Sequence, residues 1–212
     1  MTKTTARRVP HRSRNGIQHD VLHIAMHLVR DLPNMRTKAV RACILDALRA
    51  ARGRFGCRFV EFAILDNHIH LVVESRDGFE LGRAMKGLAV RIARGLNKLW
   101  GRSGQVFAER YFHRVVRKVH ELRRLVRYVL QNARRHGVRV PDDRPDEYSS
   151  GPWFRHWHGH LGRTFSSEPS PLDEASSMAL QCALRFVIEL TDRPDPPPPL
   201  PGVRKRRLCK LV

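Results

Sequence analysis

The chain has 212 residues and carries 40 Lys+Arg against 20 Asp+Glu, a net charge of +20. Its 42% apolar content is enough to bury a core and argues against wholesale disorder, and no apolar run is long enough to span a bilayer. A field of that sign attracts polyanions, of which nucleic acid is the commonest in a cell.

The N-terminus, MTKTTARRVPHRSRNG, is basic but lacks the apolar stretch of a secretory signal. Cys43, Cys57, Cys182 and Cys209 stand far apart with no CxxC pair, the pattern of reduced thiols in a cytosolic protein and not of a disulfide framework or zinc knuckle. A bacterial cytoplasmic, nucleoid-associated protein is the expectation.

Residues 1–20 read as a basic flexible arm. HIAMHLVRD at 23–31 alternates as a strand does, and Pro33 and Asn34 end it. From Arg36 to Arg52, Val40, Ile44, Leu45 and Leu48 recur at helical spacing. RFVEFAILD at 58–66 and HIHLVVES at 68–75 read as two strands joined by a tight turn at Asp66 and Asn67. Glu80–Leu99 carries a second helical stripe, QVFAERYFHRVV at 105–116 a strand, and His120–His136 a third helix closed by Gly137. The order β-α-β-β-α-β predicts an α+β fold: a ferredoxin-like antiparallel sheet with helices on one face, plus a C-terminal extension. The main domain then runs over 21–140. Residues 141–190 form a turn-rich aromatic extension with one helix over 173–190, and 191–212 a proline-rich basic tail.

NHIHLVVE at 67–74 carries the most chemistry. On a strand, His68 and His70 share a face with Cα atoms about 7 Å apart, so both imidazoles can converge on one metal ion. Ile69, Leu71 and Val73 take the opposite face, and the metal site would lie on the open face of the sheet. An HxH pair alone is weak evidence in a chain with twelve histidines. The downstream helix adds weight. In ELRRLVRYVLQNARRHG, Leu122, Leu125, Val126, Val129 and Ala133 form a buried stripe, and Tyr128 and Asn132 stack beside it four residues apart. There a tyrosine can reach a phosphate bound at the metal, and an amide can supply an oxygen to the same ion.

Taken together, the HIH strand and the Tyr-x-x-x-Asn helix ending in His-Gly resemble the single-tyrosine HUH transposases, closest to the branch called REP-associated tyrosine transposases. NHIHL resembles their Asn-His-x-His-Leu strand, YVLQNARRHG their Tyr-Ile-x-x-Asn-Pro helix end, and SGQVFAERYFHRVV the strand before it. The resemblance spans residues 20–155, through YSSGPWF, and departs at Ala133, where many relatives have proline. It implies a small HUH endonuclease domain, often a homodimer, acting on single-stranded DNA beside a hairpin of a palindromic repeat. His68 and His70 match the metal-binding histidines, Asn132 the third ligand and Tyr128 the nucleophile.

The chemistry agrees with that assignment. Free tyrosine has a pKa near 10 and is a poor nucleophile at neutral pH. A divalent cation, Mg2+ or Mn2+, would neutralise the phosphate, and histidine ligands favour Mn2+. Attack by Tyr128 would yield a 5′-phosphotyrosine and a free 3′-hydroxyl able to rejoin DNA. Arg83, Lys86, Arg91, Arg94, Arg110 and Arg114 are candidates for the DNA backbone, or ordinary solvated charges. Tyr111 and Tyr148 are weaker nucleophile candidates. His156, His158 and His160 fit an aromatic loop better than a second metal site, and RKRR at 204–207 is either a phosphate anchor or a solvated tail. The alternative functions are a hairpin-binding protein that does not cleave and an RNA-binding module with sheet-face aromatics.

Overall fold

The computed structural model describes residues 16–186 and 188–190. Four strands form one antiparallel sheet in the order β2-β3-β1-β4: β1 Gln18–His27, β2 Cys57–Ile64, β3 His68–Asp77 and β4 Phe112–Val116. Helices α1 (Lys38–Ala51) and α2 (Gly78–Leu99) supply the crossovers. This is the split β-α-β-β-α-β arrangement expected from the element order. Three further helices follow, α3 (Val119–Leu130), α4 (Asn132–Arg135) and α5 (Met178–Leu184). No helix among the described residues is long and apolar enough to cross a membrane.

Strand alternation sorts the side chains into two cores. Leu22, Ile24, Met26, Ile69, Leu71 and Val73 pack under α1 and α2. Thr37 and Asp77 cap the starts of those helices by accepting from Val40 N–H and Glu80 N–H. Gly95 of α2 sits where a β-carbon would collide with the Cys43 sulfur of α1, so this residue sets how closely the two helices approach. Val21, Val60, Ala63 and Val72 point the other way, onto α3, α5, Phe154 and the fully buried Trp157. The second face is therefore roofed by α3 and the extension, not open as the strand pattern alone suggested.

The free edge of β2 is also covered. Ile64 N–H donates to Tyr148 C=O and Ser150 N–H to Phe62 C=O. Arg36 locks the segment with a bidentate pair to Asp146 and a further bond to Ile64 C=O. Nearer the other end, the Asp173 carboxylate accepts from Phe59 N–H and Gly53 N–H. Covering an edge removes the unpaired ladder that invites aggregation.

Several boundaries differ from the sequence reading. The first strand occupies Gln18–His27, not 23–31, and begins inside the stretch expected to be an arm. Arg117 holds its start by pairing with Asp20. Of the 105–116 segment only Phe112–Val116 is ladder; beyond it, Leu28 and Phe107 form an isolated bridge. The helix expected over 120–136 breaks at Gln131 (φ −108, ψ 14), whose side-chain amide donates to Glu189 and Leu190 C=O. The helix expected over 173–190 is confined to Met178–Leu184, because Glu74 takes the Ser176 and Ser177 N–H groups and holds the preceding segment extended. Residues 1–15 and the proline-rich tail, with RKRR and Cys209, lie outside the described residues.

Glu61 stands at a bulge in β2, buried under the extension and hydrogen-bonded by Ser150 Oγ. Desolvation pushes its carboxyl up to about 7, the serine hydrogen bond opposing. Below its unfolded value, near 4.5, both states are protonated and the fold bears no penalty. As pH rises from there, the unfolded chain ionises first, and stability falls until the folded pKa is passed. Glu61→Gln is expected to be more stable than wild type above pH 7.5 by about 3 kcal/mol. The gap should close below pH 5 in urea titrations, and equal midpoints at both pH values would contradict this account.

Candidate functional site

β1 and β3 pair with Ala25 opposite His70 and His27 opposite His68. Register partners share a face, so His23, His27, His68 and His70 all project toward α3. The rings touch. His68 and His70 centroids are 4.8 Å apart and nearly perpendicular, His27 stacks on His68 at 5.0 Å, and His136 lies 5.8 Å from His68. Tyr128 descends from α3 with its hydroxyl 3.5 Å from His70 Nε2. His70 and Tyr128 are nearly buried while His68 is half-exposed, so the site opens at its His68 end.

Electrostatics keep the imidazoles neutral. Desolvation, joined by the neighbouring rings, drives His68 down to about 3 and His70 well below the usual histidine range. Burial likewise lowers His23 to about 4, with Arg114 adding to it. Neutral rings offer lone pairs. Asn67 Oδ1 lies 2.8 Å from His68 Nδ1. With that nitrogen donating to the amide oxygen, His68 Nε2 is left as an acceptor.

Asn132 is the most telling residue. It opens α4 immediately after the Gln131 break and is fully buried, yet neither side-chain atom completes a hydrogen bond. Its amide lies beside the Tyr128 phenol. Burial raises that hydroxyl's pKa, and Asn132 and Arg135 temper the rise. A buried amide short of well-formed hydrogen bonds costs about 1–3 kcal/mol, and the Asn132 oxygen is left able to accept a further partner. Among the described residues no group of three or more His, Cys, Asp or Glu could hold a metal. The Asn132 amide, beside Tyr128, is a candidate further donor to an ion held by the histidines. Two neutral imidazoles plus one orphaned amide oxygen suit Mn2+ or Mg2+ with positions left for phosphate and water.

The six candidate phosphate-binding residues do not gather at this site. Arg114 is on β4 opposite His23, on the histidine face, where it also pairs with Glu121. Arg83, Lys86, Arg91 and Arg94 lie on α2, behind the sheet. Arg83, Lys86 and Arg110 line a groove of about 530 Å³ with Phe79, Phe107 and Tyr111. Arg83 rests over the Phe55 and Phe79 rings. Arg91 and Arg94 stand further along the helix, Arg94 exposed. Tyr111 belongs to that groove, and Tyr148 lies beneath Arg36 at the β2 edge, so neither shares the histidine cluster. In the 155–160 segment Trp157 is core, His158 pairs with Glu189 and His160 packs on Phe165. The sequence reading missed His23, His27 and His136. The first two were legible as HIAMH, once that segment is known to be the strand beside HIH.

A family model and a solved structure match the chain. The family model "Transposase IS200 like" matches residues 21–132. Among solved structures, a REP-associated tyrosine transposase bound to a REP hairpin aligns over 79% of this chain and 99% of that one, with TM-score 0.54 and 15% identity. No curated protein matches the chain.

If the Asn132 amide is kept for a ligand, its loss should leave the metal-free fold intact. Asn132→Leu is expected to raise the unfolding free energy by about 1–3 kcal/mol in EDTA, while abolishing Mn2+ binding in calorimetry. A variant both less stable and still able to bind Mn2+ would contradict this reading.

Proposed function

Since the chain belongs to the IS200-like transposase family, we propose that it cleaves and rejoins single-stranded DNA through a covalent tyrosine intermediate. The observation that carries this is the Tyr128 hydroxyl 3.5 Å from His70 Nε2, beside the buried Asn132 amide. Tyr128 Oη attacks the scissile phosphorus, giving a 5′-phosphotyrosine and releasing a 3′-hydroxyl. The reverse attack by a 3′-hydroxyl restores a phosphodiester and frees Tyr128, so no external energy source is needed. His68 and His70, through their Nε2 atoms, and Asn132, through its oxygen, would hold a divalent ion. Bound there, Mg2+ or Mn2+ supplies charge neutralisation at the phosphate. Burial of Tyr128 and His70 excludes bulk water from the attacking oxygen. In this reading His68, His70, Asn132 and Tyr128 of the same chain act together, and a homodimer would not be needed to bring Tyr128 to the histidines.

The substrate we propose is single-stranded DNA flanking a hairpin of a palindromic repeat, in keeping with the hairpin held by the structural neighbour. The α2 groove would grip backbone remote from the chemistry, and Arg114 would act close to it.

With Mn2+ and labelled oligonucleotides carrying the palindromes beside its own gene, the wild-type chain is expected to form a covalent adduct stable on denaturing gels. Tyr128→Phe should form none, and His68→Ala should slow its formation at least about a thousandfold. An undiminished adduct in Tyr128→Phe would move the nucleophile elsewhere. Tight hairpin binding with no adduct in any metal would favour the non-cleaving binder.

The combined Arg83→Ala, Lys86→Ala and Arg110→Ala variant tests the groove separately. Hairpin affinity should fall and the slope of log K against log salt should flatten by about two to three, near one per lost phosphate contact. Adduct yield at saturating DNA should be unchanged. An unaltered slope would make these three residues an ordinary solvated surface.

A further inference from the structure

For a histidine to donate Nε2 to an ion, its proton must sit on Nδ1. At His68, Asn67 Oδ1 meets Nδ1 at 2.8 Å. At His70 the corresponding nitrogen is met instead by another ring: His23 Nε2 lies 3.0 Å from His70 Nδ1. His23 is 2% exposed and held on the central strand β1, opposite Val72 on one side and Arg114 on the other. Its ring also stands edge-on to Tyr128, 5.9 Å between centroids.

We propose that His23 is a positioning residue for His70. Its Nε2 accepts the His70 Nδ1–H, fixes the ring, and leaves the His70 Nε2 lone pair facing the Tyr128 hydroxyl. The proposal rests on the reading of His68, His70 and Asn132 as a metal site. It has a consequence for His23 itself. With Nε2 accepting, its proton sits on Nδ1, and that atom is buried without a hydrogen-bond partner. In the opposite arrangement His23 Nε2 donates to His70 Nδ1, which strands only a lone pair on His23 but puts a proton on His70 Nε2, where an ion would bind. Both arrangements contain the same protons, each ring moving one between its two nitrogens. Ion binding selects the first, and His23 governs the affinity without touching the ion, as outer partners of metal-bound histidines do generally.

The test uses the full chain, Mn2+ alone in calorimetry without DNA, and nitrogen-resolved NMR of the histidine rings in Mg2+. Wild type is expected to bind Mn2+ and His68→Ala to lose binding. His23→Phe keeps a buried ring but no acceptor, and should bind about 10–100-fold more weakly. His23→Gln places an amide near the Nε2 position and should stay within about threefold of wild type. In Mg2+-loaded wild type the His70 proton should be on Nδ1. Normal binding by His23→Phe, alongside a defective His68→Ala, would overturn the role of His23 and leave the metal site standing. So would a His70 proton found on Nε2 in the loaded protein. A His23→Gln as weak as His23→Phe would assign the loss to packing and overturn the acceptor role. Equal Mn2+ affinity in wild type and His68→Ala would overturn the metal site itself. The NMR measurement needs no variant, so it decides the matter even if His23→Phe fails to fold.

Discussion

The register between β1 and β3 is the constraint on which the rest depends. Ala25 faces His70 and His27 faces His68, and this pairing gathers four imidazoles under α3. Side chains alternate with a period of two, so a slip of one residue would send every histidine of one strand into the α1/α2 core. It would also bring Ile24, Met26, Ile69 or Leu71 to the site. Both faces of the sheet are buried, one by α1 and α2 and the other by α3 and the extension. A wrong register would therefore be penalised on both sides at once. The apolar residues between the histidines fix the geometry of the site as firmly as the histidines themselves.

Much of this was legible in the sequence, for identifiable reasons. The HIH strand, the Asp66–Asn67 turn and helices α1 and α2 follow from local periodicity, and each appears nearly where the pattern predicts. Tyr128 and Asn132 stay close, as the four-residue spacing suggested, although the helix breaks between them at Gln131. What local pattern could not supply was long-range. The break at Gln131 is made by carbonyls nearly sixty residues later, at Glu189 and Leu190. The start of β1 depends on Arg117 reaching Asp20. The roof over the second face needs Trp157, Leu180 and Ile188, which sit in a stretch too rich in turns to show a period. His23 illustrates the same limit: its partner lies 47 residues away. The basic residues show a different failure. Charge composition marks a polyanion partner, but it does not tell the face behind the sheet from the face that bears the site, so Arg83 and Arg114 looked alike.

The site is also held at a cost in stability. A fully buried amide short of well-formed hydrogen bonds, imidazoles pushed neutral by desolvation and a hydroxyl deep in the fold are each less favourable than an apolar replacement. The apolar packing beneath α3 and around Trp157 offsets them, which gives the extension a structural reason to be there. Without that roof, water would reach the histidines and ease their burial, but Tyr128 would lose the surface that aims it.

Position and activation are separate matters in this arrangement. Burial raises the Tyr128 pKa, which works against a phenolate nucleophile, and Asn132 and Arg135 only temper the rise. Neutral His70, 3.5 Å away, offers one nitrogen to the phenol, and that is the nitrogen a metal ion would require. It cannot serve both as ligand and as proton acceptor at once. The chain's own residues therefore aim the tyrosine and dry its surroundings more than they acidify it. A hydroxyl so placed is inert until a phosphate and its counter-charge arrive. If Tyr128 is the nucleophile proposed above, that restraint keeps it from attacking any phosphodiester that a strongly basic protein draws in.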